Sequence, residues 1–73
     1  MNVKQMNRAL SPREVEVLEK LSHGKTTKEI ASVLHLSCHT IISHKKNLCT
    51  KLGAVNGPQL VRLGFQYGLL KIA

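Results

Sequence analysis

Two short segments of this chain carry the same helix-start signature, and together they leave little choice of fold. Ser11-Pro12-Arg13-Glu14 and Thr26-Thr27-Lys28-Glu29 each place a hydroxyl residue three positions ahead of a glutamate. At that spacing the hydroxyl accepts the N3 backbone N–H while the carboxylate reaches back to the N-cap N–H, which closes a capping box. Pro12 strengthens the first box, because a first helical position has no use for the N–H that proline lacks. Val15, Leu18 and Leu21 follow at helical spacing, and Gly24 is a stop, which predicts a first helix over 12–22. Behind the second box, Ile30, Val33 and Leu34 share a face and Ala31 is small enough for close helix contact, which predicts a helix over 27–34.

The rest of the chain continues in the same way. Ser37 caps a third helix over 38–52 that Gly53 ends, and Pro58, after Asn56 and Gly57, opens a fourth that Gly68 ends. The connection between the second and third helices is very short, so the two must cross steeply. The fourth helix carries Leu60, Val61, Leu63, Phe65 and Tyr67 nearly all round. A helix apolar on more than one face buries more than one face, so one side packs on the domain and the other invites a partner, such as a second copy. Strand alternation and internal repeats are lacking, and the expectation is an all-α domain over 10–73 behind a flexible basic arm at 1–9.

Seventy-three residues support one small core, with a net stability of roughly 3–5 kcal/mol. A disulfide staple is not expected: Cys38 and Cys49 on one helix would stand about 16 Å apart along its axis. Unpaired thiols, no apolar run of signal-peptide length and no long apolar segment predict a cytoplasmic setting.

Charge narrows the function. The chain carries 11 Lys and Arg against 4 Asp and Glu, a net +7, and every carboxylate side chain lies between Glu14 and Glu29. From Ile30 onward the positive field is unopposed, which points to an anionic partner. The third helix shows how such a partner would be met. Projected at 100° per residue, Ile41, Leu48 and Leu52 form an inward stripe, while His39, Ser43, Lys46 and Thr50 lie together on the opposite side. Ile42 and Asn47 flank that outer face. Lys45 falls near the inward stripe and is expected to run out along its stem to backbone or solvent.

Cys38, His39, His44 and Cys49 contain the element types of a zinc site, but His39 and His44 differ by about 140° around the helix and do not converge. No metal or cofactor is expected. Catalysis is not expected either, since no nucleophile elbow, phosphate loop or carboxylate pair with a pocket is evident. A short turn leading into a helix with a polar, acid-free outer face fits a helix-turn-helix, whose second helix lies in the DNA major groove.

Residues 10–56 closely resemble the DNA-binding domain of LuxR/FixJ-type, or GerE-like, transcription regulators. "LSPREVEVL" matches the first helix, "GKTTKEIASVLHLS" the turn, "TIISHKKNLCTKLG" the recognition helix and "LVRLGFQYGLL" the fourth helix. The resemblance implies a four-helix domain: a three-helix helix-turn-helix core plus a C-terminal dimerisation helix. It further implies sequence-specific binding of double-stranded DNA as a homodimer, at the nucleoid, in a stand-alone regulator or the terminal domain of a larger one. Carried over by position, Ile42, Ser43 and Lys46 fall where the family reads bases. Lys28, Thr40 and His44 fall at or near backbone-contacting positions, with Lys45 and Lys51 expected beside them. Val61 and Phe65 fall on the helix that supplies the dimer contact. Further partners would be RNA polymerase or a larger regulator of the same family, which the domain could pair with and modulate. The chain departs from the family at Cys38 and His39, where a glutamate and a basic residue are usual, and at Ile42, where a basic residue is common. There Ile42 could pack on a thymine methyl, and Lys46 could bind guanine O6 and N7.

Overall fold

Four helices organise residues 10–71, the part of the chain that the computed structural model describes: α1 Pro12–Ser22, α2 Thr27–Leu34, α3 Cys38–Leu52 and α4 Gly57–Gln66. The arm expected at 1–9 lies outside the described residues. Local hydrogen bonding accounts for each start. Ser11 Oγ accepts the Glu14 N–H at 3.1 Å, and Glu14 Oε1 accepts the Ser11 N–H at 2.8 Å. The second box repeats this between Thr26 and Glu29, at 3.2 and 2.9 Å. α4 is capped by Asn56, whose Oδ1 accepts the Gln59 N–H at 2.8 Å, while Gln59 Oε1 reaches back to the Val55 N–H at 2.7 Å.

The ends are as locally determined as the starts. Gly53, at φ 77°, closes α3 in the left-handed region that suits glycine. α2 closes the same way on a residue with a side chain: His35 sits at φ 58° and ψ 42°. The backbone then turns so that the Leu36 N–H reaches the Ala31 carbonyl at 2.9 Å. This histidine is the turn of the helix-turn-helix.

The core forms where the four apolar faces meet. Val17 and Leu18 of α1, Ile30 and Ala31 of α2, Ile41, Leu48 and Leu52 of α3 and Leu60 of α4 are buried, with Leu10 and Leu70 closing the ends. α3 packs against all three other helices, and α1 also packs on α4. Gly64 lets α4 approach closely. A Cβ there would stand 2.8 Å from Leu70 Cδ1 and 3.2 Å from Leu18 Cδ2. Two sequence expectations shift. Val33, expected on the apolar face of α2 with Ile30 and Leu34, is 52% exposed, while Ala31 is buried as its small size predicts. Val17, absent from the expected α1 stripe, is fully buried.

Candidate nucleic-acid interface

The start of α3 differs from the other three. Ser37 Oγ accepts the Thr40 N–H at 3.1 Å and also shares a 2.9 Å hydrogen bond with the Thr40 hydroxyl. The position that holds Glu14, Glu29 or Gln59 in the other helices is here Thr40, so no carboxylate or amide side chain reaches back toward the cap and no acid stands in the first turn. The positive end of the α3 dipole is therefore left unneutralised by any carboxylate on its own helix. Lys28, in the first turn of α2, is exposed. Thr40 is half-buried beside its cap.

Further along α3 the burial follows the helical projection. Ile41, Leu48 and Leu52 are buried. His39, Ile42, Ser43, Lys46, Asn47 and Thr50 are exposed, and His44 and Lys45 are half-buried at the edges of the buried stripe. The three proposed base readers thus stand together on the solvent side. Asn47, one turn beyond Ser43, joins them with an amide that can both donate and accept. The same projection placed it at the flank of this face. Because α3 is clamped by three neighbouring helices, its outer side chains are presented from a fixed rod.

Lys51 has a structural partner. Its ammonium lies 2.7 Å from Glu14 Oε1, so it is directed back onto α1. Glu14 is only 4% exposed. Burial alone would raise its carboxyl pKa, but the hydrogen bonds from Lys51 and from Ser11 together hold it below the ordinary carboxylate range. Lys51 is thereby a structural cation that ties the C-terminal turns of α3 to the start of α1. No sequence signal could have assigned this, because the partners are 37 residues apart. The other three carboxylates also lie on α1 and α2, with Glu16 held 3.6 Å from Arg13. α3 and α4 carry none.

Among the described residues no three His, Cys, Asp or Glu side chains gather as a metal cluster. Cys38 is exposed and Cys49 half-buried, both as free thiols. No helix among the described residues is long and apolar enough to cross a membrane. An open cleft of about 310 Å³ lies between the end of α1 and residues 69–71, lined by Glu19, Ser22, His23, Leu69, Leu70 and Lys71, and includes no residue of α3. On α4, Val61 is half-buried and Phe65 38% exposed.

Comparison with known proteins accords with this geometry. The family model described as bacterial regulatory proteins, luxR family, matches residues 8–63. The chain is 45% identical over 62 residues to the transcriptional activator protein YukR of Yersinia ruckeri, covering 85% of this chain and 27% of that protein. It is 40% identical over 62 residues to the oxygen regulatory protein NreC of Staphylococcus aureus, covering 85% of this chain and 29% of the relative. The chain thus spans little more than a quarter of the length of these curated relatives. Among solved structures it superposes on Vibrio cholerae VqmA, a LuxR-type receptor described as a dimer in the absence of target DNA. That match has a TM-score of 0.80 and 37% identity over 82% of this chain and 27% of that one. The four-helix architecture, the helix-turn-helix centred on His35 and the family match over 8–63 agree, and the chain belongs to the luxR family of bacterial regulatory proteins.

Proposed function

We propose that this domain binds double-stranded DNA sequence-specifically and thereby regulates transcription, with α3 in the major groove. The observation that carries the proposal is the outer face of α3. It is exposed and acid-free, and its helix is clamped from behind by the other three. In this arrangement Ile42, Ser43 and Lys46 meet base edges. Lys28, Thr40, His44 and Lys45 meet the sugar-phosphate backbone, where charge adds affinity without sequence information. The open N-terminus of α3 suits a phosphate at the groove edge. Two copies would join through α4, with Val61 and Phe65 in the contact, on two half-sites.

Selection from a randomised duplex pool, followed by titration at several salt concentrations, tests the reading. Specific binding should emerge as a two-fold related motif, and affinity should fall steeply as salt rises. Lys46→Ala should lose about 1–3 kcal/mol of discrimination between sites, whereas Lys28→Ala should weaken all duplexes alike and flatten the salt dependence. An unchanged site preference in Lys46→Ala would remove α3 readout from the account. A second reading takes the exposed aromatic Phe65 on α4 as its observation. There the domain pairs with a larger regulator of its own family and modulates that protein's DNA binding. Absence of duplex binding at low salt by the chain alone would favour it.

A further inference from the structure

Ile42 is the feature of the outer α3 face that its polar chemistry leaves unexplained. It is the fifth residue of α3 and 56% exposed. Its neighbours on that face, Ser43 and Lys46, are exposed hydrogen-bonding groups. Exposure alone would mean little, since Val33 and Val55 are exposed as well. Position distinguishes Ile42: of these three it alone lies on α3 among the candidate base readers, in the N-terminal half of the helix, where base edges are met. Its sec-butyl group can neither donate nor accept. Set against cytosine N4 or guanine O6, it would strip water from a polar group and return no hydrogen bond, which disfavours those bases. The apolar feature a major groove offers is a methyl group on pyrimidine C5.

We infer that Ile42 makes this domain a reader of a 5-methylpyrimidine, by packing its side chain against the C5 methyl at one position of each half-site. The inference rests on the proposed placement of α3 in the major groove. The recognised chemistry is the methyl group, which thymine supplies and which 5-methylcytosine also supplies. Specificity then comes from two sides: apolar burial against the methyl, and desolvation of an unmatched polar edge in its absence.

The test uses the 73-residue chain on the duplex it selects. Each thymine in the half-site is replaced in turn by deoxyuridine, which removes the methyl and keeps the pairing edge. At one position this should weaken binding about 3- to 5-fold per half-site, the loss expected for one buried methyl. Ile42→Ala should bind the thymine duplex more weakly, with the same salt sensitivity, and should not distinguish thymine from deoxyuridine there. A cytosine at that position, with guanine opposite, separates the sources. If 5-methylcytosine regains affinity over cytosine, either base serves. If it does not, thymine is the base read. Specific binding that tolerates deoxyuridine at every position overturns methyl readout while leaving the major-groove reading intact. No sequence preference at all overturns both.

Discussion

The two capping boxes share one local geometry and differ in everything beyond it. Both pair a hydroxyl with a glutamate three residues on, with hydrogen bonds between 2.8 and 3.2 Å. Glu29 remains on the surface, and its carboxyl is held below its ordinary pKa by the backbone and side-chain hydrogen bonds of Thr26. Glu14 is buried, and its Oε1 serves two donors at once: the Ser11 N–H of its own helix and the Lys51 ammonium of α3. A motif that only starts a helix in one place therefore also docks the proposed recognition helix in the other. The same hydrogen-bonding pattern acquires a tertiary role where a cation from a distant turn can reach it.

Removing each carboxylate separates the two boxes most directly. Glu14→Ala should cost about 2–3 kcal/mol, because it removes a charge-assisted bond from a partly buried site and unmakes a cap. In thermal unfolding that is a fall of roughly 10 °C or more for a domain of this size. Glu29→Ala should lower the midpoint far less. Equal losses would mean that the Lys51 contact adds nothing to the first box.

A double-mutant cycle isolates the Glu14–Lys51 contact itself. Glu14→Gln with Lys51→Met should give a coupling of about 1 kcal/mol, reduced from a fully buried pair by the 37% exposure of the lysine side chain. The Arg13–Glu16 pair is more than 40% exposed on both sides and should couple near zero. Denaturant titrations of the four variants in each cycle decide this.

At the other end of α2, His35 holds a left-handed backbone conformation that disfavours a side chain. His35→Gly should stabilise the domain by about 0.5–1 kcal/mol, provided its imidazole makes no compensating contact on folding. A loss in chemical denaturation would show that it does.

Acid gives the smallest and most diagnostic effect. Because the folded-state pKa of Glu14 is lowered, the unfolded chain takes up its proton first as pH falls. The stability Glu14 contributes is complete above the ordinary carboxylate range and is lost as pH drops through the folded-state value. Glu29 acts in the same direction. Glu14→Gln should flatten the acid limb of the stability profile while keeping its cap, since glutamine also closes a capping box. An unaltered limb would place the acid sensitivity elsewhere.

Much of the fold was legible because its decisive interactions are local. Ser11, Thr26, Ser37 and Asn56 each bond an N–H three residues on, so the sequence window that contains the cap contains its partner. The outer face of α3 was legible for a similar reason, since helical periodicity separates Ser43 and Lys46 from Ile41 and Leu48 whatever they pack against. Val33 was not legible. Periodicity names a face of α2 but not its rotation against its neighbours, and packing chose the side with Ala31. The Lys51–Glu14 contact was not legible either, because its partners lie 37 residues apart.

Local chemistry was enough for the four helices and for the residues that share the α3 outer face, because caps and helical periodicity act within about one turn. Long-range packing selected which of the two capping-box glutamates is buried and which lysine pairs with it. It also decided which way α2 would turn. Those outcomes depend on atoms tens of residues apart meeting in a core too small to leave a carboxylate without a partner.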